Sequence, residues 1–553
     1  MIKKLIYFLP VLFLLMAIPL YSQELPADSE DDAQGISSME DASSEEEFLT
    51  EDDQFTPVYD ENQLYVISGF EFDIKGRTRP NALIYNGEFN TGEELHGQEE
   101  LDHYIQDKTQ MLINQRVLKD NVALDYSIGE QQEDGSCPVI VIIKVEDSWN
   151  VIALPRPSYK SDSGFDLTIK ARDYNFLGTM NPLRVDLGYK YDENKRHSAD
   201  FLIDSNTFFN AFGYNWNFNF DNLFRYRPQV DEPYYYQNIT GLSMELPFRN
   251  TTFTFGFEES FNYGEENEDR YLLFYDEEFQ HGLYMASRLY TTWEIPTGLM
   301  VSRFGELTYV PGISATFNHE LAEKWKLLPF RIGPFLGFDH SLGFEKIDWH
   351  SNYREGLSVS VGNSYNLDFY RLNNDLAPLS ITVSFTGIGH FILSDFFAVS
   401  TRLMYRYWYY HDPDFYDQAS NALRGIADKS ICADNMLSLN MDFPLRILLF
   451  TPSTWIKDTR LFRFFDFELH LSPVIDMALY HTPQSETTTE VSFSPKNIAL
   501  SGGLELVFFP LSFRSLYIRF GYAMNLREFM TARPVKLPDG VNREIYLIMG
   551  HFY

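Results

Sequence analysis

Leu437-Ser438-Leu439-Asn440-Met441-Asp442-Phe443-Pro444-Leu445 places apolar side chains at every second position with polar or small ones between them. A period of two is a strand whose two faces meet different surroundings. The same character holds from Trp149 to the end of the chain. It is seen in Phe165 to Ala171, Leu183 to Tyr191, Thr252 to Phe257, Leu357 to Val361, Ile381 to Phe385, Ser400 to Tyr407 and Leu516 to Tyr522. Turns and charged loops separate these segments, as in a barrel with one face toward lipid and the other toward a polar lumen. Repeated helix signals of an α/β enzyme are missing. Roughly 400 residues at about 25 per strand and connection give about 16 strands. The expected fold is mainly β, a transmembrane antiparallel β-barrel of about 16 strands over residues 149–553, with one small α+β domain in front of it.

Composition fits that expectation. Aromatic residues make up 16% of the 553 residues, with 48 Phe and 35 Tyr. A membrane barrel places such rings in girdles at its two lipid–water interfaces. Mean hydropathy is only −0.27, because half of every barrel strand faces a polar interior. No stretch after the N-terminus is long and apolar enough for a transmembrane helix.

Residues 1–22 read as a secretory signal peptide. Lys3 and Lys4 precede the apolar run Leu5 to Leu20, and Ser22 offers a cleavage point before Gln23. The alternative, an anchor helix, has a short run that carries Pro10 and Pro19. No Cys near the site suggests a lipid-anchored N-terminus. Residues 23–62 read as an acidic disordered linker: positions 24–61 hold 15 acids and no Lys or Arg. A tether for a basic partner is the other use for such a segment. The net charge of −35 removes any general attraction to nucleic acid.

Residues 63–148 read as a compact domain. Tyr65 to Lys75 is a strand, Pro80 to Tyr85 a short helix start, and Glu99 to Leu118 an amphipathic helix. Val122 to Ile128 and Pro138 to Val145 are strands around the polar turn Gly129 to Ser136. This β-α-α-β-β order resembles a POTRA (polypeptide-transport-associated) domain, with Asn90 to Leu95 where that family turns between its helices.

Three further places resemble the BamA/TamA-type outer-membrane assembly and translocation family. Asn175-Phe176-Leu177-Gly178-Thr179 resembles the turn near the start of the family's barrel. Leu423-Arg424-Gly425-Ile426 resembles its apolar-Arg-Gly-aromatic loop motif, with Ile426 in the aromatic's place, and the strand quoted first resembles the apolar-x-Phe-Pro strand that follows. Val474 to Ala478 resembles its buried-Asp segment, with Ala478 where the family has Gly. The last strand, Leu547 to Tyr553, ends on an aromatic as barrel strands do.

The resemblance implies that the Arg424 loop tucks back into the barrel, where the guanidinium pairs with lumenal acids. Asp476 is the expected partner and Glu505 the alternative; a loop-surface arginine is the bland reading. A guanidinium suits such a site because its donors form a fixed fork and it keeps its proton. The first barrel strand, Trp149 to Tyr159, is expected to close the barrel against Arg543 to Tyr553, a seam involving Pro155, Pro157, Ile548, Gly550 and Tyr553. Two prolines spaced by two turn their donorless edges the same way. That either weakens the seam, as a lateral gate needs, or merely marks strand entry.

GxSxG, HExxH, P-loop and CxxC motifs are all missing, so no enzyme, metal, cofactor or nucleotide is expected. Cys137 and Cys432 fall in different regions and are not expected to pair. By resemblance the function is insertion or translocation of other proteins at the outer membrane, with the POTRA domain in the periplasm. Partners would be unfolded outer-membrane or secreted clients, periplasmic accessory proteins and the bilayer, without nucleic acid. A single POTRA points, by analogy, to a specialised member. A passive pore and a surface-exposed adhesion protein, the latter with acidic, Tyr-rich loops such as Asp231 to Gln237, remain as alternatives.

Overall fold

A computed structural model describes residues 63–549 apart from 161–163, 192–194, 230–232, 265–282, 322–326, 328–330, 410–416, 419–421, 427–430, 456–464, 485–489 and 532–541. The signal peptide, the acidic linker, Gly550 and Tyr553 therefore lie outside the described residues. The small domain comprises β1 (Leu64–Lys75), α1 (Pro80–Asn86), β2 (Glu94–His96), α2 (Gly97–Asn114), β3 (Ala123–Ile128) and β4 (Ser136–Glu146). Its sheet runs in the order β2-β1-β4-β3, with β1 and β4 parallel and the outer pairs antiparallel. Leu83, Leu101, Leu112, Val139, Val141 and Ile143 are fully buried between helices and sheet. Burying each such side chain contributes about 1.5–3 kcal/mol. Cys137 is a free thiol on β4.

Two features depart from the sequence reading. Glu94–His96 is a strand rather than the end of a turn, because three residues suffice to pair with Leu64 to Val66 and to bury Leu95. Helix α2 ends at Asn114 instead of Leu118, since Arg116 adopts a left-handed backbone conformation with φ +55°. The chain turns there toward the barrel.

The first part of the barrel is β5 (Val151–Lys160), β6 (Gly164–Asp173), β7 (Leu183–Tyr191), β8 (His197–Ala211), β9 (Tyr214–Tyr226), β10 (Tyr234–Phe248), β11 (Thr251–Tyr263), β12 (Tyr284–Met300) and β13 (Glu306–Glu320). There follow β14 (Phe335–His350), β15 (Tyr353–Asp368), β16 (Leu379–Ser394) and β17 (Phe397–Tyr409). Next comes β18, in two halves, Asn435–Asp442 and Leu445–Phe450, broken at Phe443 and Pro444. Last are β19 (Phe467–His481), β20 (Ala499–Pro510), β21 (Ile518–Asn525) and β22 (Arg543–Met549). Every neighbouring pair is antiparallel, and β22 returns to β5 to close the ring. Counting β18 once gives eighteen strands among the described residues, not about sixteen. The extra two fit because hairpins such as Phe212-Gly213 and Ser351-Asn352 take only two residues, so each strand and connection uses less chain than assumed. Tyr234 to Gln237, expected in a loop, begin β10.

Outward positions carry Leu289, Ile313, Phe338, Leu342, Val361 and Phe520, all large and exposed. Such a surface belongs in hydrocarbon, and a closed antiparallel ring satisfies its backbone groups there. The connections that start from β5 and end at β22 alternate between two rims, and the small domain docks on one of them. Tyr85 stacks on Phe208 with ring centroids 4.6 Å apart, and Asn114 Nδ2 donates to Asp348 Oδ1 at 2.9 Å.

Candidate functional site

The β17–β18 connection enters the barrel from the rim opposite the small domain, and inward-facing positions of the late strands receive it. Along β19 to β22, Ile475, Leu504, Phe520 and Ile545 point outward and exposed, so Asp476, Glu505, Arg519 and Tyr546 point inward. All four are at least 96% buried. Arg424 is 2% exposed among them. Its Nε and Nη2 donate to the two oxygens of Asp476 at 2.9 and 2.6 Å, a two-pronged clamp, and its backbone N–H adds a third bond to Asp476 at 2.9 Å. Nη1 reaches Asp442 Oδ1 at 2.7 Å and Glu505 Oε1 at 3.2 Å. Arg519 supplies a second cation: Nε donates to Glu505 Oε2 at 2.8 Å and Nη2 to Asp442 Oδ2 at 3.1 Å. The Tyr546 hydroxyl also donates to Glu505. Two guanidiniums thus face three carboxylates in a buried setting, where removing one partner leaves charge buried and uncompensated.

Gly425 explains why the loop motif needs its glycine. Its φ is +69°, and a Cβ there would lie 2.5 Å from the backbone of Ala523 and Met524. The loop backbone presses directly on β21, and the Gly425 N–H donates to Glu544 at 3.1 Å. Leu423 and Ile426 are buried in an apolar cluster with Met404, Trp408, Met436 and Ala478. Ala478, 2% exposed, is accommodated within that cluster.

Both acids expected for Arg424 are therefore beside it, Asp476 with the two-pronged clamp and Glu505 with a single bond. Asp442, Arg519 and Tyr546 escaped the sequence reading. Their signal was available: each occupies a polar or amphipathic position of an alternating strand whose other face is apolar. Parity alone, however, does not say which inward residues lie at the same height.

The seam is the second element. Among the described residues β22 and β5 pair at only two positions, Glu544 with Lys160 and Ile545 with Tyr159. The β21–β22 ladder has seven pairs and β14–β15 sixteen. On its other side β5 pairs with β6 through Pro155 and Pro157 without a register shift. That continuity requires the donorless edges of both prolines to face β22. Extending the seam register would set Pro157 opposite Leu547 and Pro155 opposite Met549. The pairing stops short of them, and the Leu547 carbonyl is instead met by Arg156 Nε at 2.7 Å. Ile548 pairs with Arg519 of β21 and with no residue of β5.

The third element is the joint between domain and barrel. Asn175, fully buried, donates through Nδ2 to Thr78 Oγ1 at 2.8 Å and to Asp147 Oδ2 at 3.2 Å. The Arg79 N–H donates to the Gly178 carbonyl at 2.9 Å. At Gly178 (φ +76°) a Cβ would sit 2.0 Å from the Arg77 carbonyl oxygen. Arg77 pairs with Asp173 at 3.0 Å, and Met180 buries itself in the small domain's core. Arg116 is buried at the same rim; burial and the nearby Arg514 guanidinium pull it down to about 9, so it keeps its charge at neutral pH.

No family model and no curated protein matches the sequence. Among solved structures the chain is similar to BamA from Haemophilus ducreyi lacking POTRA domains 1–3, at 11% identity over 88% of this chain and 84% of that one, with a TM-score of 0.35. It is similar to CdiB from Acinetobacter baumannii at 12% identity over 88% and 74%, TM-score 0.42, and to CdiB from Escherichia coli at 11% over 88% and 77%, TM-score 0.44. The chain's own strand pairing, not those overlaps, establishes that it forms a closed barrel.

Proposed function

We propose that this chain resides in the outer membrane and inserts or translocates other proteins there, with its small domain, of POTRA type, in the periplasm. The observation that carries this reading is the seam. A barrel built as a passive conduit gains nothing from closing on two residue pairs beside two prolines. A barrel that must admit a client strand gains a place to part, since only backbone pairing lets a strand enter lipid without unmet polar groups.

In this reading the small domain captures an unfolded client by β-augmentation. Strand β3 suits that role: among the described residues it lies at a sheet edge and pairs only with β4, and it is exposed at Ala123, Asp125, Ser127 and Ile128. The seam then opens to one side while the Arg424 cluster holds the late strands together. The work is non-enzymatic and uses no cofactor or nucleotide. Partners are clients, periplasmic accessory proteins and the bilayer.

The test is a reversible lock. Tyr159→Cys and Ile545→Cys, made together with Cys137→Ser and Cys432→Ser, place two thiols at directly paired positions of the seam. Oxidation should abolish assembly of client outer-membrane proteins, and reduction should restore it. A pore would pass solute and an adhesin would bind its ligand while locked. Client assembly that continues in the oxidised protein overturns the proposal.

A further inference from the structure

Arg116 belongs to the small domain, yet its side chain is built into the barrel. It leaves α2 in a left-handed conformation that a non-glycine residue adopts only when its surroundings demand it. Nε donates to the Arg514 carbonyl at 2.6 Å, Nη1 to the Ser351 carbonyl at 3.0 Å and Nη2 to Asn352 Oδ1 at 3.1 Å. The guanidinium lies 4.0 Å over the Trp349 ring, and Ser515 Oγ donates to the Arg116 carbonyl at 2.8 Å. One residue thus ties together the β14–β15 and β20–β21 turns, which belong to separate parts of the ring.

The contacts continue inward. Asn352 Nδ2 donates to Glu468 Oε2 at 3.0 Å, and Glu468 pairs with His470, both buried. His470 stacks on Tyr353 at 4.7 Å and packs against Phe509 at 4.8 Å. Beyond them lies a cavity of about 50 Å³ whose walls include Asn352, His470, Ser472, Asp442 and Arg519. That is polar and roomy enough for water. Its far wall consists of two members of the ion cluster that holds Arg424.

We propose that Arg116 is a positioning residue that couples the seating of the small domain to the seating of the Arg424 loop, through Asn352, Glu468 and His470. The loop is held from the opposite rim, so the domain's docking state would be felt across the barrel. This rests on the insertion reading only for its purpose: a domain that has caught a client would pass its change of seating to the loop at the opposite rim.

Two readouts test it, neither using a client. Crosslinking of Asp107→Cys to Lys346→Cys, at a pair whose native side chains meet at 3.5 Å, reports domain seating. That crosslink is made with Cys137→Ser and Cys432→Ser. In separate protein carrying Ile426→Cys with Cys137→Ser and Cys432→Ser, the alkylation rate of the new thiol, at a buried position of the Arg424 loop, reports loop seating. Arg116→Ala should weaken the crosslink and raise the alkylation rate about tenfold, and combining it with Arg424→Ala should give less than the product of the two effects. Arg116→Lys should recover part of the loss. Asn352→Leu should raise alkylation while leaving the crosslink, because Arg116 keeps its two carbonyl acceptors. An Arg116→Ala protein that loses the crosslink with its position-426 alkylation rate unchanged overturns the coupling and leaves Arg116 a docking anchor. If that variant does not assemble, an unchanged position-426 alkylation rate in Asn352→Leu overturns it alone. Neither result depends on how the seam lock behaves.

Discussion

The seam between β5 and β22 and the lumen behind β18 to β21 are neighbours built on opposite terms. At the seam, among the described residues, two residue pairs and one guanidinium capping a carbonyl join the ends of the barrel. A few strands away, two guanidiniums, three carboxylates and a tyrosine hydroxyl lock five strands and a loop together. In the proposed function, the short pairing on one side of β22 and the brace on the other would mark where the ring parts. The brace reaches β22 itself through Tyr546 and Glu544, so a last strand that left β5 would stay attached to β21.

The largest effect should come from the brace. Arg424→Ala leaves Asp442, Asp476 and Glu505 facing Arg519 alone, and should destabilise the barrel by about 3–5 kcal/mol. Thermal melting followed by heat-modifiable gel migration measures this. Arg424→Lys keeps the charge but not the two-pronged clamp on Asp476, so it should fall between alanine and wild type. Wild-type melting in Arg424→Ala would reduce the cluster to decoration and end the contrast with the seam.

Gly425→Ala should come next. The new Cβ meets the β21 backbone at a left-handed position, which costs about 1–3 kcal/mol in conformation before the clash is counted. The same melting assay should show a loss, with alkylation of an Ile426→Cys thiol accelerated as the loop lifts.

A smaller change, of opposite sign, is expected at the seam. Pro157→Val restores a donor facing β22, and one added hydrogen bond contributes about 1 kcal/mol. Melting should rise slightly while client assembly slows. A variant that melts higher and assembles clients faster would contradict a seam that must open. The smallest effect belongs to deletion of residues 24–61, which have few apolar side chains to bury; barrel melting should stay within about 0.5 kcal/mol of wild type.

Much of this architecture is legible in one dimension because it depends on parity. The period of two at Leu437 to Leu445 marks a strand with one wet face whatever its neighbours are, and Pro155 and Pro157 turn the same edge wherever the strand is placed. The small domain's helices and strands follow from periodicity in the same way, and the loop motif around Arg424 stands out by its residues. What tertiary structure alone decided is height and proximity. Asp442, Asp476, Glu505, Arg519 and Tyr546 come from four connections' worth of separated sequence, and only the stagger of tilted strands brings them to one level. The strand count changed for a related reason: chain length divides into strands only once turn lengths are known, and two-residue hairpins leave little trace in sequence. Arg116 was invisible for the strongest reason. It looks like the end of an amphipathic helix, and its importance arises from carbonyls at Ser351 and Arg514, which every residue carries and no sequence pattern can single out.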